Sequence, residues 1–87
     1  MVSLDGRVVE QYSRMGVPNV LVRVGARTAV TDANGYFTLS GVPPNTTQQM
    51  AITHRDFEQY VTSVIVGSER AYTVGDIVIR QTTVRAL

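Results

Sequence analysis

Short runs in which apolar and polar residues alternate recur along the whole chain, separated by clusters rich in Gly, Pro, Asn and Asp. Val2 to Val9 sets Leu4, Gly6 and Val8 on one side and Asp5 and Arg7 on the other, the period of a half-buried strand. Tyr12 to Asn19, with Gly16 and Pro18, is expected to be a loop. Val20 to Val24 alternates again, with Val20, Val22 and Val24 inward and Arg23 outward. Arg27–Thr31 and Tyr36–Ser40 flank Asn34-Gly35. Asn-Gly between alternating runs predicts a hairpin with a type I′ turn, because both central residues of that turn need positive φ. Phe37 and Leu39 then face the core, and Tyr36 points away from it.

Two further runs, Gln48–His54 and Gln59–Val66, are separated by the polar stretch His54–Glu58. The second is apolar on both faces: Tyr60, Val64 and Val66 on one, Val61 and Ile65 on the other. That pattern predicts a central strand, or a strand with one face covered by a partner. Tyr72–Arg80 closes the set, with Ile77 and Ile79 as core candidates. Seven short strands at this spacing predict an all-β, immunoglobulin-like sandwich of Greek-key type. No helical periodicity, repeat or linker interrupts them. Residues 1–81 are expected to form a single domain, and 82–87 a C-terminal tail or docking arm.

Composition narrows the function. A chain of 87 residues buries only about 60–65% of its unfolded surface, which leaves little room for a deep substrate cavity. Its 44% apolar and 17% charged content suits an ordered domain. No apolar run approaches the ~18 residues of a membrane span, so membrane insertion is not expected. The net charge is +1 and the eight basic residues, all arginine, are scattered, so the basic stripe of a nucleic-acid binder is missing. Without cysteine there is no disulfide, thiolate metal site or cysteine nucleophile. Without lysine there is no Schiff-base amine and no lysine–asparagine isopeptide staple.

Individual motifs speak for scaffold over chemistry. Asp32 and Asn34 beside Gly35 faintly match the opening of a calcium loop, but the twelfth position, which needs a bidentate carboxylate, is Pro43. Asp32 is instead expected to cap the turn through its carboxylate. The single histidine, His54, lies near Asp56 and Glu58 without a nucleophile motif or second histidine, and a solvated turn is expected there. Asn45-Thr46-Thr47 is formally an N-glycosylation acceptor in an expected surface loop. Tyr12 and Tyr36 are the exposed aromatics best placed for a contact. No catalytic residue, cofactor or metal is expected, and the candidate contact surface is Tyr36, Asn45, Thr46, Thr47 and Tyr12.

Leu4-Asp5-Gly6-Arg7-Val8, Gly16-Val17-Pro18-Asn19-Val20-Leu21-Val22, Thr31 to Leu39 (TDANGYFTL) and Gly41-Val42-Pro43-Pro44 follow one another in an order that resembles the carboxypeptidase regulatory-like domain. Val74-Gly75-Asp76-Ile77-Val78-Ile79 is a weaker echo of it. The resemblance implies a transthyretin-like (prealbumin-like) sandwich and an accessory module without catalytic residues of its own. It departs from the family after Pro44, where Asn45, Thr46 and Thr47 replace a glycine and an aromatic, and at Arg55-Asp56-Phe57, where a glycine–aromatic pair is expected. The expectation is therefore a structural or interaction module that packs against a larger assembly. Its partner is another protein or its own copies, on a virion or cell surface in preference to the cytoplasm. A carbohydrate-binding accessory domain is the alternative. A standalone subunit starting at Met1 and a domain from a longer secreted protein fit equally.

Overall fold

A computed structural model describes residues 1–82. The expected tail therefore lies, from residue 83 onward, outside the described residues. Seven strands follow in chain order: β1 (Val2–Glu10), β2 (Leu21–Val24), β3 (Arg27–Val30), β4 (Tyr36–Val42), β5 (Thr46–His54), β6 (Phe57–Val66) and β7 (Ala71–Ile79). They build two packed sheets, one ordered β4-β1-β7 and the other β3-β2-β5-β6. β1 pairs antiparallel with β4 and parallel with β7; every pairing in the four-stranded sheet is antiparallel.

Alternation in sequence becomes burial between the sheets. Leu4, Val8, Val20, Val22, Val24, Phe37, Leu39, Ile77 and Ile79 are buried in one cluster, with Met50, Ile52, Val64 and Val66 from the other side. Gly6 shares this inward face without filling it: a Cβ at that position would fall 2.9 Å from the Phe37 ring and 2.6 Å from Val74. Thr31 is the one buried polar residue among those described. Its hydroxyl donates to the Val17 carbonyl (2.7 Å) and accepts from the Val20 N–H (2.9 Å), so its burial is fully hydrogen-bonded.

Three expectations are corrected. The Asn34-Gly35 turn is not a hairpin, because β3 and β4 belong to different sheets and the turn carries the chain from one to the other. Asn34 does not take positive φ, whereas Gly35 does, at 84°. The Gly35 N–H bonds the Asp32 carbonyl (3.0 Å), with Asp first and Gly last as a type I turn prefers. Thr31 decides the outcome, since its bonds tie the end of β3 to Val17 and Val20 rather than to β4. The Asp32 carboxylate does cap the turn, accepting from the Asn34 and Tyr36 N–H groups at 2.9 and 3.0 Å.

Second, Thr46 and Thr47 lie in a strand rather than a surface loop, paired with Val66 and Ile65. The turn is completed earlier, by Asn45 at φ 56°. Third, of the two readings of the doubly apolar run, the central strand is excluded, because the run is an edge strand. β5 and β6 pair directly across a tight turn at Arg55-Asp56, which leaves β6 last in its sheet.

Candidate interaction surface

Tyr36 stands on the outer face of the three-stranded sheet, half exposed at 53%. Register sets Tyr36, Arg7 and Asp76 in one row and Thr38, Asp5 and Thr73 in the next. The Arg7 guanidinium lies 5.1 Å from the Tyr36 ring centroid, and its Nε donates to the Asn34 carbonyl at 3.0 Å. Cation–π contact at an exposed site contributes about 0.5–1 kcal/mol, a modest bias toward this arrangement. Thr73 donates its hydroxyl to Asp5 Oδ1 at 2.8 Å. These rows line an open hollow of about 310 Å³. Within it Thr73 and Asp5 bond each other, while Arg7 bonds the Asn34 carbonyl at its margin.

Asn45 sits at the far end of β1. Val42 opposes Val2 where Tyr36 opposes Arg7, a separation of about 17 Å along the strand. The Asn45 N–H donates to the Gly67 carbonyl, and Thr46 Oγ1 donates to the Pro43 carbonyl while accepting from Gln48 Nε2. Tyr12 is exposed in the turn that follows Glu10, beyond the Tyr36 end of β1. In that turn the Ser13 N–H donates to Glu10 Oε1 at 2.8 Å, and this bond holds the Glu10 carboxyl below its ordinary value. The five expected contact residues thus fall at two ends of the molecule and do not converge.

A different region gathers the exposed apolar side chains. On the outer face of β6, Val61 is 52% and Ile65 75% exposed, while Tyr60 on the other face is 42% exposed at the sandwich mouth. Here β6 and β7 edge different sheets and leave an open groove of about 510 Å³. Met50, Val64 and Ile77 line it together with Tyr60 and Tyr72. The sequence signal was the doubly apolar pattern of 59–66. Of the two readings of that pattern, a central strand or a face covered by a partner, the strand order leaves the second.

Among the described residues, no three His, Cys, Asp or Glu side chains gather as a metal site. His54 accepts the Asp56 N–H at Nδ1 and packs edge-on against Phe57, as a turn residue does. No helix among the described residues is long and apolar enough to cross a membrane.

This geometry defines a small β-sandwich whose outward features are faces and edges. The model of the carboxypeptidase regulatory-like domain matches residues 3–80, and the chain belongs to that family. No curated protein matches. Two similar solved chains come from type II cohesin–X-dockerin complexes of Acetivibrio cellulolyticus, a C-terminal and an N-terminal interface mutant. They are 19% and 16% identical, with TM-scores of 0.73 and 0.78 over 91% and 93% of this chain. This chain spans 57% and 58% of their lengths. A third is the Caf1A usher C-terminal domain, 12% identical with a TM-score of 0.60, covering 93% of this chain and 99% of that one. Conserved hydrophobic clusters on its surface are described as important for F1 antigen assembly. At these identities the likeness is one of fold.

Proposed function

We propose that the chain is a non-catalytic docking module that holds another polypeptide through a sheet edge and its adjoining face. The observation that carries this is the exposed apolar stretch of β6, with Val61 and Ile65 outward on an edge strand. Edge strands present unpaired backbone donors and acceptors, and exposed apolar clusters beside them mark contact sites. Two features lend support: the family is one of accessory modules, and the structurally similar proteins come from cohesin–X-dockerin complexes and from an usher acting in antigen assembly. Those associations favour a larger assembly as the setting; a cell surface or virion is the setting we propose for it. Carbohydrate stacking on Tyr36 is weakened as an alternative, since Arg7 lies against its ring.

The test is a photo-crosslinking residue placed at Ile65 and, as control, at Tyr12, with the chain in its native host. A discrete product at position 65 that disappears with Val61→Lys supports the docking reading. Equal labelling at both positions, or none at 65, overturns it. Binding to a glycan array that is lost with Tyr36→Ala would put the carbohydrate reading in its place.

A further inference from the structure

The four strand edges of the sandwich are not alike. β3 is four residues long and begins with the charged Arg27. β4 is interrupted by a register shift near Gly41, where Arg27 Nε donates to the Gly41 carbonyl, and is followed by Pro43-Pro44. β7 shifts register around Val74, with Gly75 at φ 80° and the charged Asp76 next. Shortness, charge, proline and bulges are the usual means of keeping an edge from pairing. β6 has none of them between Tyr60 and Val66. That stretch, YVTSVIV, is uncharged, lacks Gly and Pro, and stays in unbroken register with Ile52–Thr46 of β5.

Among the described residues, the C-terminal stretch does not cover it. Gln81 bridges Phe57, the Glu58 N–H donates to the Arg80 carbonyl, and the Thr82 N–H donates to the Asp56 carbonyl. This short pairing runs antiparallel to β6, so the chain advances from Glu58 toward Asp56, away from Tyr60. Among the described residues, the free edge therefore starts where the intramolecular pairing stops.

We propose that this edge pairs with the same edge of a second copy, antiparallel, about a two-fold axis at Ser63. The proposal rests on the docking reading above and names its partner. Centred on Ser63, the register sets Val61 against Ile65 of the second copy, Tyr60 against Val66, Thr62 against Val64, and Ser63 against itself. The two exposed aliphatics of the outer face meet each other, and the aromatic meets a β-branched residue, pairings that favour antiparallel strands. The register stays within Tyr60–Val66, which carries no charge, so like charges do not oppose across the axis; Asp56–Glu58 beyond it are already taken by Arg80–Thr82. The product is one eight-stranded sheet made of two four-stranded ones, and its outer edges are the short, charged β3 strands. Such an isologous contact closes on itself and does not propagate.

The absence of cysteine permits a direct test of the register. In Ser63→Cys the only thiols oppose each other across the axis, at the ~4.5–5.5 Å Cα separation that suits a disulfide. Val61→Cys and Ile65→Cys each lie about 13 Å from their own copies but opposite one another. The expected result is a covalent dimer of Ser63→Cys under mild oxidant, a mixed disulfide when the other two variants are combined, and little from either alone. Ser63→Lys, which puts like charges face to face, should halve the sedimenting mass and, at a dilution where wild type is also a single copy, leave the melting temperature within about 3 °C. Wild-type chain that sediments as a single copy at about 1 mM, with Ser63→Cys no more cross-linked than Ser13→Cys, overturns the dimer. In that event a photo-crosslink from Ile65 to a different protein would still uphold docking, and loss of both signals would remove the docking reading as well.

Discussion

The Asp32–Gly35 corner and the Tyr60–Val66 edge are both turn-and-strand backbone at the surface, yet they treat their polar groups in opposite ways. At the corner, backbone is pressed against backbone. The Val8 N–H donates to the Gly35 carbonyl and the Val17 N–H to the Val8 carbonyl, while Asp32 and Thr31 take up further N–H groups. A Cβ on Gly16 would fall 1.7 Å from the Asn34 carbonyl oxygen, and one on Gly35 would fall 2.4 Å from that of Val8. Along the β6 edge, alternate backbone groups face away from β5 with no strand beside them among the described residues, and the side chains are uncharged and mostly apolar. The corner satisfies itself and fixes the fold. The edge leaves its bonding capacity to a partner.

The sharpest way to break this contrast is Gly16→Ala. The backbone cannot yield without moving the Asn34–Gly35 turn, so a loss of about 4 kcal/mol or outright unfolding is expected, read by denaturant titration. A stable Gly16→Ala protein would mean the corner is not the rigid part. Next is Thr31→Val, which keeps the shape but strands the Val20 N–H and Val17 carbonyl in the core. A loss of about 2–3 kcal/mol is expected. Asp32→Ala should cost about 2 kcal/mol by removing a charged acceptor from two N–H groups, whereas Asn34→Ala, at negative φ, should cost under about 0.5 kcal/mol. A hairpin with a type I′ turn would reverse that order.

At the edge, the double change Val61→Thr and Ile65→Thr should leave the stability of the monomer within about 0.5 kcal/mol and reduce self-association, seen by sedimentation. The smallest effect concerns Glu10, in the turn leading to Gly16. Its carboxyl is lowered in the folded chain by the Ser13 N–H, so its contribution is present above the ordinary value of 4.5 and is lost as pH falls through the folded one. Wild type should therefore exceed Glu10→Gln in stability at neutral pH, the difference vanishing in acid.

Much of this was legible in the residues. Alternation at Leu4, Gly6 and Val8, at Val20, Val22 and Val24, and at Phe37 and Leu39 determines which faces are buried, because a strand's side chains have a period of two. Seven such runs with turn residues between them determine a sandwich, and the order of the motifs places it in its family. The Asp32 cap was equally readable, since an Asx turn is made within a few residues of chain.

Strand partnership was not readable in the same way. Whether Asn34-Gly35 joins neighbours in one sheet or crosses between two depends on Thr31 reaching Val17 and Val20, contacts 14 and 11 residues away. Whether the doubly apolar run lies in the middle of a sheet or at its rim depends on what lies beyond it, and the run itself is the same in either place. Local pattern sets the face of a strand; only the assembled sheets decide which strand is last, and so where the molecule is open to a partner.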